Sequence, residues 1–382
     1  MPLRRRAGDE TRPAVVGRSS SNSRRVLGRF HQFVVESELH SRNPECGDVA
    51  VFKGGAAMSA GLSTPTGQRL PDELPPSRTV TVRAVDGIPL HAEIFGPPEG
   101  YPIVLTHGIT CAIRAWAHQI CDLATDYRVI AFDQRGHGRS GVPRRGGYSL
   151  KHLASDLNSV LDATLAPHER AVLTGHSMGG IAIAAWSAHY RHQVRRRADA
   201  VALINTTTGD LVRKVKLLSL PRELPRELSM ARVLAARGLI TAFGGFPLPP
   251  GARIPSRYVV AMLAVGKDAD PSAARVVYEL FAQTSPAVRG GCAKMLVDAL
   301  GSRYLDLDGL TAPTLVIGSE RDRLTPISQS RRIARTAPNV VGLVALPGGH
   351  CAMLERPREV NRHLRALVES VTHDVRVRRI SS

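Results

Sequence analysis

The sequence predicts an α/β fold: a mostly parallel sheet of eight strands with helices on both faces and a helical insertion late in the chain. Three observations carry this. Short apolar runs, among them Pro102-Ile103-Val104-Leu105-Thr106 and Thr314-Leu315-Val316-Ile317-Gly318, alternate with longer stretches of helical spacing, as expected of strands buried on both faces. The run Ala171-Val172-Leu173 leads into Gly175-His176-Ser177-Met178-Gly179-Gly180, where a strand must turn abruptly into a helix. The alternation then stops between about residues 208 and 308 and resumes at Thr314.

Taken in order, residues 1–76 carry no sustained periodicity. They are rich in Ser, Arg, Gly and Pro and end in Pro71-Asp72-Glu73-Leu74-Pro75-Pro76, which predicts a disordered extension with a stiff end. Met58 is a candidate translation start inside it. Residues 78–83 and 90–95 alternate apolar and polar side chains around Asp86-Gly87, the pattern of an antiparallel hairpin. Strands at 102–106, 129–132, 171–176 and 200–204 follow, with helices near 112–124, 150–165 and 178–189 between them. The first part of the body is therefore 77–207.

The insertion, 208–308, shows helical apolar spacing at Met230-Val233-Leu234, at Val259-Val260-Met262-Leu263, at Val276-Val277-Leu280-Phe281 and at Met295-Leu296-Leu300. The second part of the body, 309–373, holds strands at 314–318 and 340–346 and a helix over about 356–370. A charged tail, 374–382, closes the chain. In such sheets ligands bind at the carboxyl ends of the strands, where Ser177, Asp322 and His350 all fall.

Bulk composition excludes several classes. A fold of this length buries enough surface to need no staple, and the five cysteines form no Cys-x-x-Cys pair, which favours free thiols in a reducing compartment. The net charge of +18 rests on 45 arginines against 6 lysines, a skew that fits codon bias better than phosphate binding. The charge forms no block flanked by aromatic residues, so nucleic acid is not an expected partner. The first 77 residues carry eleven basic against eight acidic side chains, too even for a docking tail. No apolar run reaches the roughly 18 residues of a spanning helix, and no apolar region follows Arg4-Arg5-Arg6. The expected location is cytoplasmic.

Gly175 and Gly179 flank Ser177 where side chains would collide with a tight turn. The turn strains Ser177 and points its hydroxyl out of the sheet, beside the free N–H groups of a helix start. Serine needs a base to take its proton, and the base needs a carboxylate to hold its tautomer. His350 ends a strand and follows Leu346-Pro347-Gly348-Gly349, a turn that can place it over Ser177. Asp322 follows Gly318-Ser319-Glu320-Arg321 and precedes Pro326, 28 residues before His350.

These pieces, in the order Ser177, Asp322, His350, are joined by His107-Gly108 and by Asp133-Gln134-Arg135-Gly136-His137-Gly138-Arg139-Ser140. Together they resemble the α/β-hydrolase superfamily, in particular its lidded serine esterase, lipase and monoacylglycerol-lipase-like branch, over about residues 78–372. The resemblance implies a Ser177–His350–Asp322 triad, with Asp210 as the fallback acid. It implies oxyanion donors at the N–H groups of Met178 and Ile109, with Thr110 or Gly108 able to replace the latter. It makes His107, His137 and His176 structural or loop-positioning residues and the insertion a lid. No cofactor or metal is implied.

The expected reaction is cleavage of a lipophilic carboxylic ester, with a medium or long acyl chain or a monoacylglycerol-like lipid, through an acyl-enzyme. Thioester or carbon–carbon cleavage with the same triad is the alternative, as is a weakly catalytic small-molecule receptor; perhydrolysis is a conceivable side activity. Epoxide and haloalkane chemistry needs a carboxylate where Ser177 stands, so Tyr258 and Tyr278 are expected to pack. Cys111 and Cys351, beside active-site segments, are expected to be buried small hydrophobes. Phe243, Phe246 and Phe281 suggest a dry pocket for the lipophilic substrate. Arg213, Lys214, Lys216, Arg222, Arg226, Arg232 and Arg237 beside Leu217, Leu218 and Leu220 suggest transient contact with an anionic lipid surface. The oligomeric state is not readable.

Overall fold

The computed structural model describes residues 51–53, 69–144, 146–211, 260, 263–301 and 303–380. Nine strands form one sheet: β1 (Val51–Lys53), β2 (Ser77–Arg83), β3 (Pro89–Phe95), β4 (Pro102–Thr106), β5 (Arg128–Phe132), β6 (Ala171–His176), β7 (Ala198–Ile204), β8 (Thr314–Ser319) and β9 (Val340–Leu346). Their order is β1-β9-β8-β7-β6-β4-β5-β3-β2. β3 runs antiparallel to β2 and β5, and the other pairings are parallel.

The central strands explain their own composition. Every residue of β4, β6 and β8 is buried, so nearly every position must be apolar or small. Their alternate side chains feed two cores. Ile103, Leu105, Val172, Leu315 and Ile317 pack on one face with α1 (Ala117–Leu123), which continues a 3₁₀ turn Ile113–Trp116, and with α8 (Ala352–Glu355) and α9 (Pro357–Ile380). Val104, Leu173, Val201 and Val316 pack on the other with α2 (Leu150–Thr164), α3 (Met178–His189), α4 (Arg191–Arg197) and α7 (Ile327–Thr336).

Within the insertion, α5 (Pro271–Gln283) and α6 (Pro286–Leu300) each start on a capping side chain followed by proline, Asp270-Pro271 and Ser285-Pro286. The cap oxygen satisfies a first-turn N–H, and proline has none to lose. A third core joins α6 to the body: Val288, Cys292, Met295 and Leu296 against Leu153, Met178 and Ile181. The insertion is thereby anchored directly over the turn that carries Ser177.

Several expectations are corrected. A ninth strand, β1, joins the eight expected, and it lies inside the segment read as disordered and upstream of Met58. It pairs Val51 with Leu343 and Lys53 with Ala345. Three residues have no period to read, and their pairing depends on an edge offered by β9. The body also begins before residue 77: Leu70 is buried, its N–H reaches Ser272 Oγ at 3.4 Å, and Arg114 donates to the carbonyls of Pro71 and Asp72. α9 runs to Ile380, through most of the stretch expected as a tail, since no glycine or proline interrupts it. α4 was not anticipated. Met230 to Leu234, the basic run from Arg213 to Arg237 with its leucines, Phe243, Phe246 and Tyr258 lie outside the described residues.

Candidate active site

Ser177 sits between β6 and α3 with φ 51° and ψ −118°, a conformation that costs a non-glycine residue about 1–3 kcal/mol. The neighbouring glycines are what make it possible. A Cβ on Gly175 would lie 2.6 Å from the carbonyl carbon of Gly179, and one on Gly179 would lie 2.0 Å from the carbonyl oxygen of Thr106. The turn is held from the sheet side as well: Ser177 N–H donates to Ile204 O at 3.0 Å and Thr206 Oγ1 donates to Ser177 O at 2.7 Å.

His350 and Asp322 come from the loops after β9 and β8 and meet at 2.8 Å, Nδ1 to Oδ2. Both are buried. The carboxylate is fully engaged. Oδ1 accepts the N–H groups of Leu324 and Thr325, each at 2.8 Å. Oδ2 also accepts Thr325 Oγ1 and Asn205 Nδ2, each at 2.8 Å. Burial alone would raise its pKa, but the neighbouring His350 and these hydrogen bonds outweigh it and hold the carboxyl below its ordinary value. Asp210, the fallback acid, instead accepts from Tyr304 Oη at 3.2 Å.

Asn205 and Thr325 were not singled out from sequence. Asn205 follows β7 in a left-handed conformation, φ 42°, and an asparagine just past a strand is the only local trace it leaves.

The loop after β4 carries the second expected oxyanion donor. His107 Nδ1–H donates to Gly108 O at 2.7 Å and His107 Nε2 accepts Gln134 N–H at 3.0 Å. His137 Nε2 accepts the N–H of Thr110 at 3.1 Å, and its Nδ1–H donates to Arg135 O at 3.0 Å. Burial pushes His107 down to about 4 and His137 to about 3, so both stay neutral at neutral pH and each keeps one donor and one acceptor. The Thr110 N–H is thus bonded to His137 in this structure. Met178 is the first residue of α3, where an N–H has no partner within the helix. His176 donates from Nε2 to His350 O at 3.0 Å, with the two rings 4.8 Å apart. All three histidines hold loops.

Ser177, His350, Ile109 and Thr325 face one cavity of about 230 Å³, walled by apolar side chains such as Ile181, Val277, Phe281 and Leu296. Among the described residues its one charged wall residue is Arg289, which donates to the carbonyls of Phe281 and Thr284 at the end of α5 and lies over the Phe281 ring. Tyr278 packs against the core, as expected. Cys111 and Cys351 also face the cavity. The four described cysteines are free, and burial pushes Cys111 up to about 12 and Cys351 well above its ordinary value. Among the described residues, no group of His, Cys, Asp or Glu is arranged to hold a metal ion, and no helix is long and apolar enough to cross a membrane.

Comparison with known proteins agrees with this architecture. Residues 101–357 match the family described as alpha/beta hydrolase fold. The chain is 30% identical over 284 residues to a protein of Variovorax paradoxus named "Putative carbamate hydrolase RutD", covering 72% of this chain and 95% of that one. It is 28% identical over 258 residues to the non-heme chloroperoxidase of Burkholderia pyrrocinia, covering 65% and 84%. A thermophilic esterase from Thermogutta terrifontis superposes with a TM-score of 0.58 at 23% identity, over 78% of this chain and 99% of that one; at that identity the likeness shows the fold.

Proposed function

Because the chain belongs to the α/β-hydrolase fold family, we propose that it is a serine hydrolase of lipophilic carboxylic esters. Ser177 is the nucleophile, His350 the base, Asp322 the acid that orients it, and the N–H groups of Ile109 and Met178 the oxyanion donors. The observation that carries this reading is the shared cavity. A serine in a strained strand-to-helix turn and a histidine whose Nδ1 is bonded to a buried carboxylate face the same apolar space.

The chemistry follows from that arrangement. Asp322 keeps the proton of His350 on Nδ1, which leaves Nε2 as a lone pair for the Ser177 hydroxyl. Oγ attacks the ester carbonyl, its proton passes to Nε2, and the two N–H groups receive the developing oxyanion. Collapse expels the alcohol, which takes the Nε2 proton. Water then repeats the sequence on the acyl-enzyme and releases the acid. The described wall of the cavity is almost wholly apolar, which supports a lipophilic acyl chain. A lid role for the insertion, with transient contact at an anionic lipid surface, belongs to the same proposal.

The test is hydrolysis of p-nitrophenyl esters of graded chain length by the full chain, beside Ser177→Ala, with an aryl carbamate included because the Variovorax relative carries that name. Turnover lost in the variant supports the proposal, and the preferred chain length sizes the acyl pocket. A folded protein that turns over no ester and resists a fluorophosphonate label refutes it.

A further inference from the structure

We propose that Glu355 is a positioning residue that ties His350 to the insertion between β7 and β8, so that the base holds its working place only while the insertion is docked. The inference rests on reading His350 as the base.

Glu355 ends the short helix α8 and is buried. Its Oε2 accepts the N–H of Gly349 at 2.7 Å and the N–H of Gly266 at 3.0 Å. Its Oε1 accepts the N–H of Cys351 at 3.1 Å. One carboxylate therefore grips the chain on either side of His350, and one of its oxygens is shared with the insertion. The insertion reciprocates: the carbonyl of Ala264 accepts the N–H groups of both His350 and Cys351, each at 3.1 Å.

The approach is too close for side chains. A Cβ on Gly349 would lie 2.4 Å from Gly266 N, and one on Gly266 would lie 2.8 Å from Glu355 Oε2 and 2.9 Å from Gly349 N. Asp322 thus fixes the imidazole, while Glu355 and Ala264 fix the main chain that carries it. If residues 264–266 move away, His350 loses the acceptor of its own N–H, and Gly348-Gly349 leaves the loop free to relax. Displacements near 1 Å are enough to cost about 100-fold in such geometry.

The experiment uses the full chain with Glu355→Gln, Glu355→Asp and Gly266→Ala. It measures kcat and KM on a p-nitrophenyl ester and the second-order rate of fluorophosphonate labelling. Gln keeps the shape of Glu355 but, with its oxygen at the Oε2 site, turns the NH₂ toward the Cys351 N–H and so removes one hold on the chain beside His350; Gly266→Ala disturbs the contact with the insertion itself. Both are expected to lower kcat and the labelling rate about 10- to 100-fold with little change in KM, and Asp is expected to recover part of the loss.

Folded variants that label at the wild-type rate, whatever their melting temperatures, overturn the proposal. Hydrogen exchange on the wild type tests it without any variant: the amides of Gly266, His350 and Cys351 should open together, and independent opening overturns it. Wild-type protein that resists the label overturns the serine-hydrolase reading itself, whereas equal labelling of wild type and variants overturns the coupling alone.

Discussion

Replacing Asp322 by Asn should remove activity through a proton, not through a shape. The amide can be placed in two ways. With its oxygen at the Oδ1 site it still accepts the N–H groups of Leu324 and Thr325, and its NH₂ faces Asn205, Thr325 and His350. With its oxygen at the Oδ2 site, two fixed backbone donors face an NH₂, at about 1–3 kcal/mol for each unsatisfied group. The Thr325 hydroxyl can rotate and the imidazole can change tautomer, but the two backbone donors cannot move. Against those two stands one donor, the Asn205 amide, that faces the NH₂ in the first placement, so the first placement wins by about 1–3 kcal/mol.

In that placement His350 Nδ1 must accept, so its proton sits on Nε2, and the nitrogen that the proposed mechanism needs as a base has no lone pair. A wrong tautomer of this kind costs about 10⁴-fold in kcat, equivalent to about 5 kcal/mol of barrier. The assay is ester turnover and fluorophosphonate labelling of Asp322→Asn at pH 7, with circular dichroism to establish that the variant is folded. Activity within tenfold of wild type would mean that Asp322 does not set the tautomer, and the assignment of the acid would fall.

Other outcomes follow from the same structure. Alanine is a better helix former than glycine by about 1 kcal/mol, yet Gly179→Ala should destabilise by about 3 kcal/mol or more, because its Cβ would lie 2.0 Å from backbone oxygen on β4; a raised urea midpoint would contradict this. Burial holds His107 and His363 at about 4 and His137 and His176 at about 3, against 6.5 when exposed. The unfolded chain then binds more protons below pH 6.5, so stability falls as pH drops, by up to about 2 kcal/mol per histidine at pH 5. Asp322, held low, adds its own loss only as pH falls below about 4. Equal urea midpoints at pH 7 and pH 5 would refute the account. Iodoacetamide at pH 8 should leave activity intact, since Cys111 and Cys351 stay protonated and buried; inactivation abolished by Cys351→Ser would show otherwise.

What was legible in the sequence was what local physics enforces. Strands buried on both faces must be apolar from end to end, so β4, β6 and β8 announce themselves, and the elbow needs its two glycines for steric reasons. Asp322 and His350 could be found because each follows such a strand. Asn205 and Glu355 are not legible because their roles lie in contacts that no spacing encodes: Asn205 reaches Asp322 across 117 positions and Glu355 reaches Gly266 across 89. Thr325 lies only three positions from Asp322, but a threonine in a turn carries no mark of the carboxylate it holds. β1 and the packing of Leu70 were missed for a related reason, since both depend on a surface built by residues far along the chain.

The parts of this site are dealt out among β4, β6, β8 and β9, strands that lie within a few places of one another in the sheet but span some 240 positions of sequence. No contiguous fragment ending before β8 contains Asp322 or His350, the proposed acid and base. Parallel pairings over such separations form late, because long loops must close first. The strained turn at Ser177 is tolerated only once its neighbours surround it. A nascent or partly folded chain therefore carries an inert serine. Reactivity toward a fluorophosphonate should rise in step with the final, cooperative stage of refolding, which makes the label a clock for completion of the fold.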